Sequence, residues 1–133
     1  MLIKAIMKTR VATVEMDDSL AVVRELLLSA PFHHLLVVEG DELVGILSDK
    51  DLFKALSPYL ESPGENQRDR DTLSRRVHQV MTRDVVTISA KAALEEAASL
   101  MLEKGISCLP VLEEGKLQGI ITWRDLLKAA RFR

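Results

Sequence analysis

The chain has 133 residues, 47% hydrophobic and 29% charged, enough to bury a core without disulfides or metal. Eighteen Lys and Arg stand against 20 Asp and Glu, a net charge of −2 with no long run of one sign, so duplex DNA and polybasic contact with a membrane surface are not expected. Three Phe, one Tyr and one Trp are too few for a base-stacking platform, and the single cysteine, Cys108, excludes an internal disulfide framework and a CxxC zinc ribbon. Met1–Met7 has neither the apolar core nor the cleavage site of a secretory signal, and nothing approaches the ~18 consecutive apolar residues of a bilayer span, so a cytoplasmic location is expected.

Taken from the N-terminus, a short β-rich run at Val11–Val14 precedes a helix carrying Leu20, Val23 and Leu27 on one face and ending at Pro31. Leu35–Val38 and Leu43–Leu47, joined by Glu39-Gly40-Asp41-Glu42, read as a hairpin, and a short helix starts near Ser48. Residues 57–79 have the Pro, Gly and polar content of a surface loop, and Leu73, Val77 and Val80 predict a short helix at its end. The same order then returns. A β-rich run at Val85–Ile88 leads to a helix with Leu94, Ala97, Ala98 and Met101 at i, i+3, i+4, i+7, ending at Gly105. The strand-like runs Leu109–Leu112 and Leu117–Ile121 and a final helix from Thr122 complete it.

A shift of 74 aligns residues 6–56 with 80–130 without a gap, and about 16 of the 51 pairs are identical. One β-α-β-β-α unit is therefore used twice, with repeat 1 over 1–56, a linker over 57–79 and repeat 2 over 80–133. A unit of ~50 residues exposes too much apolar surface alone, so the copies are expected to pack about a pseudo-twofold axis, forming two related clefts. Ala93, Leu100 and Leu102 lie off the buried stripe of their helix, which predicts a homodimer through the helices.

The most informative segment is also duplicated: Gly45-Ile46-Leu47-Ser48-Asp49-Lys50-Asp51 and Gly119-Ile120-Ile121-Thr122-Trp123-Arg124-Asp125. A hydroxyl followed three residues later by an acid is the pattern of a capping box. The same pair can grip the vicinal diol of a ribose, and the preceding glycine lets another group approach the backbone closely. The helix start offers N–H donors to an anion, and Lys50 and Arg124 could neutralise a phosphate.

In this order, with Val80-Met81-Thr82 opening the second copy and Leu109-Pro110-Val111 in its middle, the chain resembles the cystathionine β-synthase (CBS) domain, whose tandem pair is called a Bateman module. The resemblance implies a mixed α/β (α+β) fold and a regulatory module binding AMP, ADP, ATP or S-adenosylmethionine between the repeats. It assigns ribose and phosphate contacts to Ser48, Asp51, Thr122 and Asp125. His33 and His34, placed before the middle strand, are implied phosphate contacts, with Lys50, Arg83 and Arg124 as further candidates. Main-chain groups in Lys8–Val11 and Thr82–Val85 would read the adenine edge, with Val11, Ile46, Val85, Pro110 and Ile120 as pocket walls. Ser107-Cys108 replace the histidine pair in copy two, so two unequal sites are expected.

No enzyme is expected. His33 and His34 diverge on an extended segment without a third metal ligand, and Cys108 reads as a small buried hydrophobe rather than a nucleophile. No cofactor or metal is called for. The competing reading is a CBS pair with empty clefts that serves only as a dimerisation or docking surface. In the ligand-binding reading, the module signals to a separate protein partner.

Overall fold

The computed structural model describes residues 1–29 and 32–131. Its first sheet holds β1 (Thr13–Val14), β2 (His34–Glu39) and β3 (Glu42–Ser48), with α1 (Leu20–Ser29) between β1 and β2 and α2 (Asp49–Ala55) after β3. The second holds β4 (Ile88–Ser89), β5 (Cys108–Glu113) and β6 (Lys116–Thr122), with α4 (Leu94–Lys104) and α5 (Trp123–Ala130) in the corresponding places. In both, the first strand runs parallel to the middle one and the last runs antiparallel to it. The duplicated mixed fold is thus the one expected.

The boundary expectations fared unevenly. β1 and β4 are two residues each, so Val11 and Val85 lie outside any strand. The helix stop expected at Pro31 lies outside the described residues. Gly105 ends α4 as expected, in the left-handed conformation at φ 66° that glycine adopts without a Cβ clash. The linker helix is earlier than its apolar spacing predicts: α3 spans Gln67–Asp71, while Leu73 and Val77 fall in separate 3-10 turns. A polar signal won over the apolar one. Asn66 accepts from the Asp69 N–H and donates its own N–H to the Asp69 carboxylate, a closed capping box that starts the helix.

The chain divides into two compact units, and they do not follow the sequence repeats. One is Ala12–Asp84; the other joins Met1–Val11 to the chain from Val85 onward. The residues that lead into each copy are therefore built onto the other copy's sheet. Ile3 enters the core formed by Ile88, Ala97, Leu109, Val111 and Ile121, held by Ile3 N–H to Ala92 O and Lys4 N–H to Ala90 O. Its aligned partner Val77 enters the core of Val14, Leu20, Val23, Leu35, Val37 and Leu47, with its N–H on Asp18 O. Both residues are fully buried.

Each lead-in then crosses the last strand of its unit. Lys8 and Ile120 exchange two backbone hydrogen bonds of 2.9 Å, and Thr82 and Ile46 exchange two of 2.9 and 3.0 Å. Beside each bridge the strand carries one unpaired extra residue, Gln118 or Val44, followed by the motif glycine. A Cβ on Gly119 would sit 2.4 Å from the Lys8 carbonyl oxygen, and one on Gly45 would sit 2.6 Å from the Met81 sulfur and 3.1 Å from Thr82 O. The group that approaches these glycines is the chain itself. Gly119→Ala meets backbone and is expected to cost about 1–3 kcal/mol, whereas Gly45→Ala meets mainly a flexible thioether and costs less. Chemical denaturation of the two variants checks this; equal midpoints would contradict it.

Candidate ligand-binding site

The duplicated motif forms a capping box in each unit. The Ser48 N–H donates to Asp51 Oδ2 at 2.9 Å and the Asp51 N–H to Ser48 Oγ at 3.1 Å. The Thr122 N–H and Oγ1–H donate to Asp125 Oδ2 at 2.9 and 3.2 Å, and the Asp125 N–H returns to Thr122 Oγ1 at 3.4 Å. The Asp49 N–H bonds the His33 carbonyl and the Trp123 N–H the Ser107 carbonyl, both at 3.0 Å. Two of the first three N–H groups in each helix are thereby used within the chain. This leaves little of the anion-binding helix start that the motif offers on paper. In each box one acid oxygen, Oδ1 of Asp51 or of Asp125, lies outside the reciprocal cap.

The two units differ in what surrounds that oxygen. Asp125 is almost fully buried, and Lys8 Nζ approaches its Oδ1 at 3.7 Å from a side chain that is 56% exposed. Next to it, the Arg124 guanidinium lies 5.3 Å from the centre of the Trp123 ring. Asp51 is half-buried, and the residue aligned with Lys8 is Thr82, which carries no charge. Asp49 adds a second carboxylate on the first turn of α2 and pairs with His33 Nδ1 at 3.2 Å.

The remaining expected contacts fall into place unevenly. Lys50 is exposed on the first turn of α2, while the Arg83 guanidinium turns back to donate to the His78 carbonyl at 3.0 Å. Burial holds His34 below the ordinary histidine range, against the pull of Asp49; His33 lowers it further and Asp51 opposes. A neutral His34 is a weaker phosphate partner than its position suggests. Pro110 faces Ile120 across β5 and β6, as Leu36 faces Ile46 across β2 and β3, on the sheet faces turned away from the helix-packed cores. Val11 and Val85 are half-buried. At Lys8 and Thr82 both main-chain groups are already bonded to the sheet, so those two positions have no free backbone edge for an adenine. Sequence reasoning passed over the Lys8 side chain. The signal was present in the alignment, where Lys8 stands against Thr82, but the partner of each lead-in is visible only in three dimensions.

Cys108, opposite Thr122 across β5 and β6, is buried, with its thiol pushed up to about 12, chiefly by burial and further by the Asp125 carboxylate. It is protonated at neutral pH, which fits the small hydrophobe expected rather than a nucleophile. Among the described residues, no group of three or more His, Cys, Asp or Glu could hold a metal ion.

A family model for the CBS domain matches residues 3–58 and 77–131. The chain belongs to the CBS domain family. It is 36% identical over 129 residues to a CBS domain-containing protein of Dictyostelium discoideum, covering 95% of this chain and 88% of that one. It is 32% identical over 124 residues to an inosine-5′-monophosphate dehydrogenase of Methanocaldococcus jannaschii, covering 92% of this chain and 22% of the dehydrogenase. Among solved structures, CBSX2 in complex with AMP is similar, with a TM-score of 0.80, 29% identity and coverage of 98% of this chain and 96% of that one. No helix among the described residues of this CBS pair is long and apolar enough to cross a membrane.

Two outcomes are expected of the site as a structural element. Asp51→Ala and Asp125→Ala each remove a cap acceptor and cost about 0.5–2 kcal/mol in urea denaturation, with Asp125 at the upper end because the Thr122 N–H and hydroxyl lose a buried acceptor. Cys108 reacts with a thiol reagent only after unfolding; rapid labelling of the native protein at pH 8 would contradict its burial.

Proposed function

We propose that this CBS pair is a regulatory module binding an adenosine-containing ligand, AMP, ADP, ATP or S-adenosylmethionine, at the Ser48/Asp51 and Thr122/Asp125 sites. The observation that carries this reading is the end-to-end likeness to CBSX2 crystallised with AMP. The residues present suit such a ligand. Each unit sets a hydroxyl beside a carboxylate with one acid oxygen left outside the cap, as a ribose diol requires. Ile46 in one unit, and Pro110 with Ile120 in the other, offer apolar walls near it.

In this reading the ligand acts by binding one conformation better than another, and the change passes to a separate protein. The module itself pairs as a homodimer through α1 and α4. Their aligned leucines support this: Leu28 is 71% and Leu102 is 84% exposed, an apolar feature repeated on both helices. Calorimetry and thermal unfolding with AMP, ADP, ATP, S-adenosylmethionine and NADH test the ligand. At 100 times its dissociation constant a ligand adds ~2.7 kcal/mol, raising the midpoint by several degrees for a chain of this size. If none of the five binds, the pair is a dimerisation or docking module and the duplicated motif is a helix cap alone.

A further inference from the structure

We propose that Lys8 makes the Thr122/Asp125 site selective for a phosphorylated nucleoside, a specificity the Ser48/Asp51 site lacks. This rests on the nucleotide-binding reading above and goes beyond it by assigning charge preference to one site and one side chain. Within the capping box, Asp125 Oδ2 is taken by the Thr122 N–H and hydroxyl, so Oδ1 is the oxygen that can accept from a ribose. That oxygen faces Lys8 Nζ at 3.7 Å, a long contact between a buried carboxylate and a half-exposed ammonium. A ribose hydroxyl bonding Oδ1 competes with the lysine, whose flexible stem lets the ammonium swing aside.

What the ligand offers the displaced ammonium decides the affinity. Adenosine offers nothing, while the phosphate of AMP supplies a new counter-charge, and the Arg124 guanidinium at the same helix start favours the same sign. The sulfonium of S-adenosylmethionine would add a third positive charge to Lys8 and Arg124. The other unit has the reverse balance. Thr82 replaces Lys8, and Asp49 places a second carboxylate where Trp123 stands. A phosphate there meets Asp49 and Asp51, with Lys50 as the neighbouring cation.

The single tryptophan of the chain, Trp123, immediately follows Thr122, so its fluorescence reports this site. AMP and adenosine are titrated against the full chain by Trp123 emission and, in parallel, by calorimetry. In the native protein AMP is expected to bind at least about tenfold tighter than adenosine, with a preference that shrinks as salt is raised. Lys8→Gln is expected to weaken AMP about tenfold while leaving adenosine within about twofold, and Lys8→Arg to keep the preference. Equal affinities for AMP and adenosine in the native protein overturn the assignment, as does a Lys8→Gln variant that weakens both alike. Calorimetric binding that leaves Trp123 emission unchanged overturns it too, since the ligand then sits elsewhere. If neither compound produces heat or a fluorescence change, the nucleotide-binding reading falls together with this one.

Discussion

The crossing of a lead-in segment over the last strand of each sheet is the constraint on which the rest depends. At Lys8–Ile120 and Thr82–Ile46 two backbones approach closely enough to exchange paired hydrogen bonds of about 3 Å. A side chain at 119 would meet the Lys8 carbonyl, and one at 45 chiefly the Met81 thioether, so the strand carries glycine at both. A bulge lies just before each glycine, at the place where the strand meets the crossing. Fixing that crossing anchors Ile3 and Val77 in the two cores and, in the second unit, sets Lys8 beside Asp125.

Both units share this frame, and they differ in the side chains set upon it. Positions related by 74 hold Lys8 and Thr82, Trp123 and Asp49, Cys108 and His34. Substitution at these positions changes the charge around a carboxylate without disturbing the backbone bonds that hold it. Asp125 is consequently a buried acid facing an ammonium, and its charge helps keep the Cys108 thiol protonated. Asp51 is a half-buried acid sharing its surroundings with Asp49, His33 and a histidine whose burial favours the neutral ring.

The helix starts show how one residue pair can satisfy two demands. Closing the cap uses the hydroxyl oxygen as acceptor and one carboxylate oxygen, so the fold gains a defined helix start. The second carboxylate oxygen is spared. With most of the first-turn N–H groups already bonded inside the chain, the proposed ligand binding assigns discrimination to side chains near that oxygen rather than to the helix dipole. On that proposal, the module can keep its stability while its ligand preference changes one side chain at a time.

Much was legible in the sequence because the code involved is local. The β-α-β-β-α order, the hairpins, the stop at Gly105 and the capping boxes at Ser48–Asp51 and Thr122–Asp125 depend on side-chain period and on residues three apart. The family resemblance followed from their duplication. Misplacement was greatest where an apolar spacing competed with a polar cap, as at Leu73–Val80 against Asn66 and Asp69. Only the tertiary structure could decide that Met1–Val11 belongs with the second repeat, that Gly119 makes room for Lys8 O rather than for a ligand, and that Lys8 faces Asp125. Lys8 and Asp125 lie at opposite ends of the chain. Their meeting is set by a backbone bridge and a buried isoleucine, contacts whose partners no periodicity within either segment encodes.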